Sequence, residues 1–132
     1  MTTLRTARVV AVILATVMIV FLVFSGSIRA DNAFLVPDLL LSVLLLVAAS
    51  LPARWAVTVL LFAFGLAVGV WTASLSHYAV RGELVDGLDH LPLIAACVIQ
   101  SAFLVRLLGR DRSDIPGDPV SAPTPAARRA AG

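Results

Sequence analysis

AVTVLLFAFGLAVGVWTASL, residues 56–75, runs for twenty positions without a charged side chain; Thr58, Thr72 and Ser74 are its only polar residues. A helix in water shows an apolar stripe and a polar face. This stretch is apolar all round, so its surroundings are lipid or other protein. Twenty helical residues also match the roughly 30 Å hydrocarbon core of a bilayer.

Three further stretches read the same way: Val9–Phe24, Phe34–Leu51 and Leu91–Val105. The chain has 132 residues, 60% of them hydrophobic and 14% charged, with a mean hydropathy of +0.99. Soluble domains carry about 25% charged residues. Spanning β-strands would alternate apolar and polar residues over about ten positions, and no such alternation occurs. The expected fold class is therefore all-α, an integral membrane four-helix bundle of two antiparallel hairpins. Its spans are expected at about 9–27, 34–51, 55–75 and 90–108, within a membrane domain covering 9–108.

Every one of the ten basic residues is arginine, a composition that suggests a bacterial source. Short cytoplasmic loops are enriched in positive charge. Arg5 and Arg8 precede the first span, Arg54 lies in the second turn, and Arg106, Arg110 and Arg112 close the fourth span. Only Arg29 and Arg81 fall on the other side. Both termini are thus expected in the cytoplasm of a multi-pass inner-membrane protein, with residues 1–8 as a short cytoplasmic N-terminus. The first span could instead be a signal peptide, but no Ala-x-Ala cleavage site follows it.

Pro52 leaves a turn of only Pro52-Ala53-Arg54, which makes the second and third helices antiparallel neighbours. Residues 109–132 contain Pro116, Pro119, Pro123 and Pro125 among Ala, Ser and Gly, and are expected to form a disordered cytoplasmic tail. Ala7-Arg8-Val9 at the first helix is echoed by Ala53-Arg54-Trp55 at the third, the pattern a duplicated hairpin would leave.

Helices in lipid associate by close packing of small residues and by interhelical hydrogen bonds. Gly65 and Gly69 form a Gly-x-x-x-Gly element that shares one helical face with Thr58, Thr72 and Ser76. That stripe is the expected packing face, either inside the bundle or against a second subunit. Matching inward rows are Ala11, Ala15, Met18, Leu22 and Ser25 on the first helix. On the second they are Asp38, Ser42, Leu45 and Ala49; on the fourth, Ala96 and Gln100 beside Cys97 and Ser101. Trp55, Trp71 and Tyr78 are expected in the aromatic belts at the membrane surfaces.

Intramembrane ionisable groups are often functional. Asp38 follows Pro37 in the first turn of its helix, where a carboxylate suits the helix dipole. It sits deep enough to want a partner from Arg29, Arg81, His77 or His90. Asp31, Asp38, His77, Tyr78, Arg81, Glu83, Asp86, Asp89 and His90 make the main polar constellation. His77 and His90 with these acids could hold a divalent metal, though no pair has helical ligand spacing. A solvated, salt-bridged loop is the simpler expectation, with no metal and no cofactor. Gln100, near mid-span, is expected to hydrogen-bond to a neighbouring helix. Cys97 is alone, which excludes a dithiol redox centre. The first span has no acid, unlike that of small multidrug exporters.

Catalytic motifs are absent, and the net charge of +2 resides near the chain ends rather than in a patch for nucleic acid. The functional expectation is a non-enzymatic structural or accessory protein of the bilayer, partnering itself or another membrane protein. The alternative is a subunit of a small oligomeric transporter or channel that uses Asp38 and Gln100.

Overall fold

The structure, a computed structural model, describes residues 2–26, 28 and 32–113, with side chains as far as Gly109. Four α-helices follow one another: α1 (Thr2–Phe24), α2 (Leu35–Ser50), α3 (Ala53–Val80) and α4 (His90–Ser113), with a 3-10 turn, Leu84–Gly87, between the last two. The described residues contain no strand. The architecture is the expected all-helical one, an up-down-up-down bundle in which α1 packs chiefly on α2, and α3 on α4.

Helix ends follow local chemistry. α2 stops at Leu51, whose extended backbone is dictated by Pro52. α3 ends at Arg81 and Gly82, where Gly82 takes φ +74°. The Gly82 N–H donates to the Ala79 carbonyl and the Glu83 N–H to the Tyr78 carbonyl, the paired bonds of a Schellman ending that a glycine permits. At the opposite end of the bundle the Arg8 guanidinium donates to the Leu51 carbonyl, a cation on an otherwise orphaned helix-terminal acceptor.

Three helices are long and apolar enough to cross a membrane: α1, α3, and α4 with the turn before it. α2 is apolar but has only 16 residues, about 24 Å at 1.5 Å per residue, shorter than the expected span of 34–51. It falls one residue short of that span at each end, at Phe34 and at Leu51. α1 begins at Thr2, so Arg5 and Arg8 lie on its first turns. α4 continues to Ser113, so the first residues of the expected tail are helical; residues 114–132 lie outside the described residues.

The core is layered small against large. α1 contributes Ala7, Ala11 and Ala15, fully buried, while α3 contributes Leu60, Phe64 and Trp71 between Ala56, Ala63 and Ala67. Small residues on one helix admit bulky ones from the next. The inward rows expected on α1 and α2 are observed at Ala11, Ala15, Met18, Leu22, Asp38, Ser42 and Leu45, with Ala49 half-buried and Ser25, past the end of α1, exposed; on α4 Cys97 and Gln100 are buried. Outward positions carry residues such as Val9, Ile13, Leu40, Phe62 and Phe103, an apolar jacket that water would not favour.

α3 departs from expectation. Thr58, Gly65, Gly69, Thr72 and Ser76 are all exposed, so the glycine stripe does not pack inside the bundle. Trp71, expected near a membrane surface, is fully buried. The helix runs nine residues past it, about 14 Å, and its ring fills the interior instead. The Trp71 indole N–H has no hydrogen-bond partner among the described residues.

Candidate functional site

Asp38, Ser74, Tyr78, Asp89 and His90 gather at one end of the bundle. His90 opens α4, and its ring is fixed from both sides. Nδ1 lies 2.8 Å from Asp89 Oδ1 and 3.1 Å from the Gly87 carbonyl oxygen. Both partners are acceptors, so the proton is assigned to Nδ1. In the neutral ring Nε2 then accepts from the Ser74 hydroxyl at 3.2 Å. Gly87 is part of this construction. A Cβ there would stand 3.0 Å from Tyr78 Cδ2 and 3.1 Å from Leu75 Cδ1, so the absence of a side chain lets the 3-10 turn close over α3.

Tyr78 stacks obliquely on the His90 ring, with centroids 5.8 Å apart. His77, one residue earlier, is exposed and meets Phe34 edge-on at 5.7 Å. Asp38 comes from the first turn of α2 and is buried. The Ser42 hydroxyl donates to the Asp38 backbone carbonyl. No hydrogen bond reaches the Asp38 carboxylate from the described residues.

These groups border a cleft of about 450 Å³ to which all four helices contribute. Its apolar wall is formed by Val17, Met18, Phe21 and Leu22 of α1 and Leu93 of α4. Its polar end is formed by Asp38, Ser74, Tyr78, Asp89 and His90.

The structure thus brings together part of the constellation read from sequence and disperses the rest. His90 is the charged-type neighbour of Asp38. Arg81 instead pairs with Glu83 at 3.1 Å, in the open. Asp86 is exposed on the 3-10 turn. Arg29 and Asp31 lie outside the described residues. Gln100 is buried, but it does not line the cleft and is ten residues from His90, about 15 Å along α4. Among the described residues, no three His, Cys, Asp or Glu side chains converge as metal ligands would.

Sequence reasoning missed Ser74. The missed signal was its place in the row Leu60, Phe64, Ala67, Trp71, Ser74, which recurs every three or four residues along the inner face of α3. Asp89, His90 and Ser74 form a carboxylate–imidazole–hydroxyl chain, the order that activates a nucleophile. Ser74, however, lies within α3, where backbone N–H groups are committed to the helix, so no oxyanion-stabilising pair accompanies it. The chain's physical effect is to hold the His90 ring against the cleft.

The fold and site together define an all-helical bundle with three membrane-length helices and a mixed polar–apolar cleft at one end. No family model, curated protein or solved structure matches this chain.

Proposed function

We propose that the protein is a non-enzymatic accessory protein of a bacterial inner membrane that acts through helix–helix contacts made by the outward face of α3. The observation that carries this is the glycine stripe: a Cβ at Gly65 or Gly69 would meet nothing within 4 Å. Gly-x-x-x-Gly surfaces let two helix backbones approach closely in lipid, and this one is not used by its own bundle. Thr72 and Ser76, on the same exposed face, add weakly polar contacts. The partner is a second copy of this chain or another membrane-embedded helix. Arg5, Arg8, Arg54 and Arg106 lie toward one end of the bundle, which supports cytoplasmic termini.

The chain has no lysine, so the test uses thiols. With Cys97 replaced by Ser, a Thr72→Cys variant in native membranes is oxidised. The expected result is a covalent dimer or heterologous adduct that disappears when Gly65→Leu and Gly69→Leu are added, while the monomer still melts normally. Loss of the folded monomer in the double-leucine variant would contradict the assignment.

Transport is the second reading, favoured by the placement of Asp38 at the cleft. Gln100, distant along α4, is not needed for it. An Asp38→Asn variant with unchanged solute flux and unchanged response to a pH gradient would remove it.

A further inference from the structure

The cleft at the His90 end has the chemistry of a ligand site, and it is separate from the contact face of α3. Its volume of about 450 Å³ falls within the range of about 300–1,000 Å³ usual for small-molecule pockets. One wall is apolar, formed by Val17, Phe21 and Leu22 on α1 facing Leu93 on α4. The other end carries two carboxylates, Asp38 and Asp89, and among the described lining residues there is no arginine or lysine.

Asp38 is the telling group. Its side chain belongs to a residue only 9% exposed, and its carboxylate accepts no hydrogen bond from the described residues. His90 does not serve it as a donor, because its two ring nitrogens face Asp89, Gly87 and Ser74. A carboxylate in so largely buried a residue, facing the cleft with no donor from the described residues, is stabilised when a cation enters beside it. Phe21, Phe34 and Tyr78 also border the cleft, and aromatic faces attract cations. A bare metal ion would want several oxygen or nitrogen ligands at once, and the described residues supply no such cluster.

The geometry points to a binding site for a lipophilic organic cation, its apolar body against the α1–α4 wall and its positive centre at Asp38. The four-helix convergence gives such a ligand access to the apolar wall and the buried acid in one cavity.

The full-length protein in lipid nanodiscs, with protein-free discs as the blank, is titrated with radiolabelled tetraphenylphosphonium and with tetraphenylborate, which has the same shape and the opposite charge. Saturable binding of the phosphonium is expected, at least ten-fold tighter than that of the borate and weakened at least ten-fold by Asp38→Asn. Val17→Trp, at a half-exposed position on the apolar wall, leaves the acid intact and should weaken binding to a similar degree by filling the cavity. Gly65→Leu with Gly69→Leu should leave it unchanged, so that failure here is distinguishable from failure of the α3 contact. Absence of saturable phosphonium binding, equal binding of the borate, or parental affinity in Asp38→Asn would overturn the assignment. Should Asp38→Asn fail to fold, undiminished binding by Val17→Trp would overturn it.

Discussion

Along one side of α3 stand Leu60, Phe64 and Trp71, spaced by Ala56, Ala63 and Ala67; along the other stand Thr58, Gly65, Gly69, Thr72 and Ser76. The first face is buried in the bundle and the second is turned out of it. Both are rich in small residues, so smallness alone does not decide which face packs. The difference is what each face offers a partner. The inner face supplies bulk, spaced by its own alanines, for the neighbouring helices α4 and α2 to pack against, and close packing of that kind is the main attraction between helices in lipid. The outer face supplies a shallow, flat track with no bulk of its own, suited to a helix that brings side chains to it.

That contrast can be broken by substitution. The largest effect is expected at Trp71. Trp71→Ala leaves a cavity in the inner face and should cost about 3 kcal/mol in monomer stability, read by thermal or denaturant melting in detergent. Phe62→Ala, at an outward position, should change the same melt by less than about 0.5 kcal/mol. Trp71→Phe sharpens the point: the indole N–H has no partner to lose, so most of the stability should remain.

A smaller effect is expected where the inner face meets the 3-10 turn. Gly87→Ala drives a methyl group against Tyr78 and Leu75. It should lower stability by about 1–2 kcal/mol and displace the Tyr78 and His90 ring resonances in an NMR spectrum. The smallest effect belongs to the outer face: Thr72→Val should leave monomer melting within about 0.5 kcal/mol of the parent.

The sequence disclosed different amounts of different regions. On α1 and α2 the inward rows were legible, because Ala11, Ala15, Asp38 and Ser42 stand out against Leu, Val and Ile. α3 was not legible in this way. It is apolar on every side, so hydrophobic periodicity carries no information about direction, and the Gly-x-x-x-Gly element marks a face fit for contact without saying whose contact it is. Trp71 misled for a related reason. Tryptophan favours membrane surfaces on average, but a large ring is also an effective filler of a helical interior, and Trp71 is fully buried.

At the site, Asp38, Tyr78, Asp89 and His90 were legible as one polar group because so few other polar residues exist. Their separation from His77, Arg81 and Glu83 was not, since it depends on how the Gly82 ending and the Gly87 turn fold the connection back over α3. Ser74 was hidden because a lone serine in an apolar helix is ordinarily satisfied by its own backbone, as Ser42 and Ser76 are.

The most direct test of the two-faced α3 is a pair of double substitutions compared in one melting experiment on monomer in detergent. Gly65→Leu with Gly69→Leu should leave the melting temperature unchanged or slightly raised, since leucine is the better helix former and open space surrounds both positions. Ala63→Leu with Ala67→Leu should lower it steeply or prevent folding, because both positions are fully buried and overpacking strains a filled core. The opposite order, with the glycine pair unfolding the monomer and the alanine pair tolerated, would contradict the account.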